Sequence, residues 1–343
     1  MTPTPDFESR LFARLPFGFW GGTICIFVVV WGSYCALAMA TGAAIVERVA
    51  VEAGAPVLRV EGQAWVAFAL SLIFTAALAA ARYAQIADVR ERDALAATLS
   101  GGLASADRVF GIGDPTWRKA RRRWAAFGII AGCGYNAVVL AVYRPQIDWG
   151  VELWSLIVIP LLYALLARAV AELVREGKAL KYALASELIV DSLRPDPLFV
   201  YGRLALRGAA TWLIFVALGS LFYVGAISVL AASVNVVLAL AAATYVFWRP
   251  MAPVHRALKA HKTANLARVR AVMAGTTEAA LAGDADATAR LPGLVALETR
   301  FERAAEWPLS TPTMARFAVL ALVPVVPWVG SALAEQAVER LAG

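Results

Sequence analysis

Apolar residues gather into seven runs separated by charged stretches. They extend approximately from Phe17 to Ala40, Ala64 to Ala81, Ala125 to Tyr143, Leu153 to Ala167, Thr211 to Val229, Ser233 to Trp248 and Phe317 to Leu333. Crossing ~30 Å of hydrocarbon takes about 20 helical residues, so runs of this length read as membrane spans. Their Ala/Val/Leu/Ile texture lacks the period-2 alternation of a barrel strand. A backbone in lipid must also satisfy its own amides, which makes each run a helix. The fold class expected is all-α: a polytopic helical membrane protein of about seven transmembrane helices with helical cytoplasmic extensions. Residues 1–248 form a membrane domain of three helical hairpins. Residues 249–315 form a cytoplasmic helical hairpin, and 316–343 a seventh, proline-broken span with a short tail.

The long links between runs are patterned too. Val254, Leu258, Leu266, Val269 and Met273 recur at helical spacing, as do Leu294, Leu297, Phe301 and Ala304 after Gly283-Asp284 and Pro292-Gly293. A hairpin continuous with the membrane helices on either side is expected. Asp114-Pro115, Thr311-Pro312 and Asp196-Pro197 each precede a run, a polar cap followed by proline being a favourable helix start. The first external link, Thr41 to Gln63, has some length, whereas that between the fifth and sixth runs is little more than Leu230 to Ala232.

Charge then orients the chain. Of 32 Lys and Arg, 28 fall on the side of the N-terminus, leaving Arg48, Arg59, Arg144 and Arg340 opposite. Basic residues collect in the cytoplasm, so the N-terminus is expected inside. The formal charge of +7 is thereby a topology signal and gives no support to nucleic-acid binding. The first run is longer than the roughly 7 to 15 residues of a signal-peptide core, and it is expected to be a retained helix despite Ala38-Met39-Ala40. Cys25, Cys35 and Cys133 all lie in apolar runs and read as small buried hydrophobes.

Candidate chemistry is sparse. The interior of each run lacks Asp, Glu, Lys, Arg and His, groups that ion-coupled transporters and pumps keep at mid-membrane. His255 and His261, six apart, do not share a helix face as the i,i+4 pair of a zinc helix does. No catalytic constellation, cofactor or metal site is expected. The polar membrane groups with most to say are Asn136 and Asn235, because a buried amide is costly to leave unpaired. Gly128, Gly132 and Gly134 let helices approach closely, within one subunit or across a seam of a homo-oligomer. Pro324, Pro327 and Gly330 break the seventh run, and exposed carbonyls at that depth are tolerated when they face protein or water. Arg118, Lys119, Arg121, Arg122 and Arg123 are the densest basic run, a topology anchor and a candidate site for anionic lipids. His255, Lys259 and Lys262 are candidates for partner binding.

Pro253-Val254-His255-Arg256 with Lys262 and Leu266, then Glu306-Trp307-Pro308 with Thr311 and Arg316-Phe317, and finally Pro327-Trp328-Val329-Gly330 with Glu335, carry a resemblance. This last third resembles a group of prokaryotic polytopic membrane proteins of uncharacterised function. It supports a membrane location and adds no mechanism; the localisation expected for this multi-pass chain is a bacterial inner membrane. Two functions are expected: a passive channel or facilitator for small ions or solutes, oligomeric, or else a membrane-anchored sensor or scaffold whose cytoplasmic hairpin binds a protein.

Overall fold

A computed structural model describes residues 7–49, 57–143, 149–191, 193–223 and 229–325. Ten helices and one hairpin of strands are described: α1 (Phe7–Arg14), α2 (Gly18–Thr41), β1 (Val46–Val49), β2 (Val57–Val60), α3 (Gly62–Ala96), α4 (Gly102–Phe110), α5 (Pro115–Tyr143), α6 (Trp149–Ser186), α7 (Phe199–Ser220), α8 (Val229–Leu281), α9 (Ala285–Glu302) and α10 (Thr311–Leu320). The chain is overwhelmingly helical, and among the described residues six helices are long and apolar enough to cross a membrane. Their apolar stretches leave large side chains such as Val29, Ile130, Ile157 and Val237 exposed. A soluble protein rarely shows contiguous apolar surface of that extent, and the architecture is compatible with a multi-pass membrane protein.

Each element has a local cause. Glu61 starts α3 by accepting the amides of Gln63 and Ala64 at 2.7 and 3.0 Å. Asp114 does the same for α5, taking the amides of Thr116 and Trp117 at 2.8 and 3.3 Å. The other two expected caps differ. Asp196 lies inside a 3-10 turn, Asp196–Leu198, that leads into α7. Ser310, not Thr311, stands at the cap position of α10. Gly42, at φ 75°, closes α2 by donating to the carbonyl of Ala38. The link between the first two apolar runs then forms an antiparallel pair, β1 with β2, Val46 opposite Val60.

Helix ends depart from the apolar runs in three places. The fifth run was expected as one helix to Val229, but α7 stops at Ser220 and a 3-10 turn follows over Leu221–Tyr223. Leu230 to Ala232, expected as the link, lie within α8. The Trp65 indole of α3 donates to the Leu221 carbonyl at 2.8 Å, which satisfies an acceptor that the end of α7 leaves open. In the seventh run, α10 ends at Leu320 and a 3-10 turn spans Val323–Val325, so the described part is a short helix with a break.

α8 is continuous for 53 residues, roughly 80 Å at helical rise, passing through Pro250 and Pro253 and across the expected boundary at 248. Proline in a helix forfeits one amide donor each time. Here Met251, Val254 and Leu258 next to them are fully buried, and that packing offsets the loss. α9 folds back on α8 through a turn with Gly283 at φ 96° and Asp284 capping Asp286 and Ala287. Pro292 sits inside α9 without ending it. The hairpin is therefore continuous with the helix before it but not with α10, since residues 303–310 intervene.

α3 and α6 are central, each touching three or more other helices. The largest apolar core lies beyond the apolar runs, at the basic end. Leu95 of α3, Leu99 of the turn that follows it, Val109 and Phe110 of α4, Leu184 of α6, Tyr201 of α7 and Leu258 of α8 meet there. Burying such side chains stabilises by about 1.5–3 kcal/mol each.

Candidate functional site at the basic end of the bundle

Several groups within the apolar runs are taken up by helix packing or by bonds to their own helix. Gly128 and Gly132 turn α5 onto the α6 backbone, where a Cβ at either position would meet Tyr163, Ala164 or Pro160 backbone atoms within 2.6 Å. Of the two uses expected for this glycine face, the described contact lies within one chain; nothing lies within 4 Å of a Cβ at Gly134. Asn136 is buried on the same interface. Its amide nitrogen reaches the Ser155 carbonyl at a long 3.5 Å, and its oxygen has no hydrogen-bond partner. Ser71 and Ser220 donate to their own helices at 2.7 Å, onto the carbonyls of Ala67 and Ala217. Pro324 is buried in the 3-10 turn, which packs on α7 and α8. Asn235 falls in α8, but its side chain, like Pro327 and Gly330, lies outside the described residues.

Just past the last residues of these runs comes a belt of buried charge. Glu8 of α1 is fully buried, held by Arg168 of α6 and by Arg121 of α5 at 3.5 Å. Arg121 also bonds Glu172 at 3.1 Å. One helical turn on, Glu176 of α6 pairs with Arg207 of α7 at 2.9 Å, and Arg207 reaches Asp88 of α3 at 2.6 Å. Residues 168, 172 and 176 recur every fourth position, so they line one face of α6. More exposed pairs, Arg203–Glu91 at 2.6 Å, Arg92–Asp107 at 2.5 Å and Arg108–Glu187 at 2.9 Å, continue from the buried belt to α4 and the end of α6. Arg175 lies 4.9 Å over the Trp117 ring.

Asp88 stands seven residues beyond Ala81, outside its apolar run. Burial pushes its carboxyl up to about 6, against the pull of the Arg207 cation. Buried ion pairs contribute little net stability, yet removing one partner costs about 3–5 kcal/mol. Such a belt therefore fixes which helices meet, and at what height.

The basic run on α5 divides. Arg121 turns inward, while Arg118, Lys119, Arg122 and Arg123 are exposed. Lys119 and Arg123 continue along the face that carries exposed Phe127, Ile130 and Val138. That geometry suits side chains that bury their stems in the bilayer edge and hold their charge in the headgroups.

At the base of the α8–α9 hairpin a second cluster forms. The His255 ring stacks on Trp307 with centroids 3.7 Å apart, and its Nδ1 donates to the Glu306 carbonyl at 2.7 Å. Lys262 Nζ donates to the carbonyls of Glu302 and Ala304 at 2.8 and 3.2 Å and to the Glu306 carboxylate at 3.0 Å. Its hydrogen bond and charge hold the Glu306 carboxyl below the usual range. Phe317 stacks on Phe247 at 4.3 Å. His255 and Lys262, read from sequence as partner-binding, thus clamp the chain's own 302–306 turn, and Lys259 alone of the three is exposed. The segments that carry the sequence resemblance are the ones brought together here.

Sequence reading missed the acidic half of the belt: Glu8, Asp88, Glu172 and Glu176. The signal was present in the alternation of Arg168, Glu172, Arg175 and Glu176 directly after an apolar run, a charged stripe at helical spacing. Among the described residues no group of three or more His, Cys, Asp or Glu is placed to hold a metal ion. Comparison with protein-family models, with curated proteins and with solved structures gives no match to this chain.

Proposed function

We propose that this is a multi-pass protein of a bacterial inner membrane, N-terminus inside, whose working part is cytoplasmic: a membrane-anchored sensor or scaffold that presents the α8–α9 hairpin to a protein partner. The observation that carries this is α8 itself. It runs unbroken from an apolar stretch, past the main core, into a hairpin whose second helix, α9, packs chiefly on α8 among the described residues. A rigid rod of that kind couples the membrane helices to the hairpin tip. The hairpin carries exposed Val272, Leu281 and Val295 among charged residues, a composition suited to a partner surface. The passive facilitator draws less support, because Asn136 faces the α6 backbone and Ser71 and Ser220 bond to their own helices.

The test joins topology to capture. A reporter placed in the 282–284 turn should be active only in the cytoplasm. A photo-crosslinker at Leu281 or Val295 in cells should give one discrete adduct, absent when it replaces Ile130. An external reporter sinks the orientation. Ion or solute flux in proteoliposomes that Asn136→Leu alters, with no adduct at the hairpin, would return the case to the facilitator.

A further inference from the structure

A cleft of about 470 Å³ opens between the chain leading into α7 and one face of α9. Leu193 and Pro195 form one wall, and Ala296, Thr299, Arg300 and Arg303 the other. Ala296, Thr299 and Arg300 of α9 and Arg303 at its C-cap are three and four apart and so share a face. The lining contains no carboxylate. The reason lies on the opposite face of the hairpin, where Arg270 takes both Glu298 and Glu302 at 2.6 and 2.8 Å. Lys262 likewise occupies the carbonyls of Glu302 and Ala304 at the end of α9, the negative end of a helix dipole that would otherwise repel an anion. Arg300 and Arg303 are exposed, and neither makes an ion pair among the described residues. The Thr299 hydroxyl is engaged with the Val295 carbonyl at 2.9 Å, so charge recognition falls to the two guanidiniums.

We infer that this cleft binds a small soluble dianion of the phosphate-ester class, its charged group on Arg300 and Arg303 and its apolar part against Leu193, Pro195 and Ala296. Paired guanidiniums suit a phosphate because each can bond it through two parallel N–H groups. Volumes of roughly 300–1,000 Å³ are those of small-molecule sites. Depth selects the source. From Arg207 back to Phe199 is eight helical residues, and a 3-10 turn precedes them, so about 18 Å of helical rise separates Pro195 from Arg207. The headgroup layer is only about 5–8 Å deep on each side, so a lipid headgroup does not reach. A ligand here would bridge the leader of α7 and the face of α9, tying the hairpin to a membrane helix. The inference rests on the sensor reading and supplies its input.

The experiment is binding of inorganic pyrophosphate to the full chain in nanodiscs of phosphatidylcholine. Saturable binding is expected, weakened about tenfold by Arg300→Ala or Arg303→Ala, as for loss of one charged hydrogen-bonding partner. The double variant should abolish it, and Arg290→Ala on the same helix should leave it unchanged. Wild type that does not bind, or a double variant that still does, overturns the site. Competition from phosphatidylglycerol in the disc would overturn the soluble ligand in favour of a headgroup. Pyrophosphate binding with no hairpin adduct fails the scaffold alone, and an adduct without pyrophosphate binding fails this inference alone.

Discussion

Replacing Gly128 or Gly132 by alanine tests whether α5 and α6 are joined inside one chain. A Cβ on residue 128 would stand 2.4 Å from the Tyr163 carbonyl oxygen and 2.6 Å from the Ala164 Cα; on residue 132 it would stand 2.5 Å from the Pro160 Cα. Ordinary contact begins at 3.4 Å, so each added methyl falls short by about 1 Å. The obstructing atoms are backbone, and no rotamer change removes them. The helices must part, at a cost of about 1–3 kcal/mol for each overpacked position. The two sites share one interface, so the double variant should cost less than the sum. Gly134→Ala is the control on the same helix, with nothing within 4 Å of its Cβ. It should be neutral or slightly stabilising, since alanine is the better helix former by roughly 1 kcal/mol. Equilibrium unfolding in mixed micelles, read by Trp fluorescence, measures all three at matched expression. Equal values for the three variants would refute the close approach. A change in oligomer mass without a change in unfolding would make the glycine face a seam between subunits.

Glu8→Gln keeps the shape of the side chain but leaves Arg168 buried without its anion, so it should cost about 3 kcal/mol or more and expose residues 7–14 to protease. The pair Glu8→Leu with Arg168→Met should recover most of that loss, and failure to recover would mean that the charge does more than fix α1. Asp88, raised from its ordinary 3.8 to about 6 by burial, binds a proton more tightly folded than unfolded. Its contribution is therefore present at low pH and lost as pH rises through about 6. Wild type should gain stability relative to Asp88→Asn between pH 7.5 and pH 5 in chemical unfolding, and a difference that stays flat would mean that the Arg207 ion pair prevails over burial.

Local chemistry made much of this chain legible in advance. Length and apolarity alone mark the six long helices, because a membrane-crossing helix needs only its own backbone hydrogen bonds and an apolar surface. The Asp114-Pro115 start was readable for the same reason, cap and amides being two and three residues apart. Where a helix stops was less so. α7 ends at Ser220 although its apolar run continues, and Trp65, far away on α3, bonds the freed carbonyl. α8 passes through Pro250 and Pro253, which sequence rules treat as an end, because Met251, Val254 and Leu258 are buried by other helices.

The site depended on tertiary structure throughout. Arg121 belonged to a basic run from sequence, and only the docking of α1 and α6 separates it from its exposed neighbours by bringing Glu8 and Glu172 to it. His255 and Lys262 looked available until residues 302–307, some 40 positions on, folded back over them. Sequence decides where charge and apolar surface lie along the chain, since each residue carries its own transfer free energy. Which charges meet depends on helices far apart in sequence packing at a common height, and a buried carboxylate such as Glu8 is stable only once that packing has delivered its arginines.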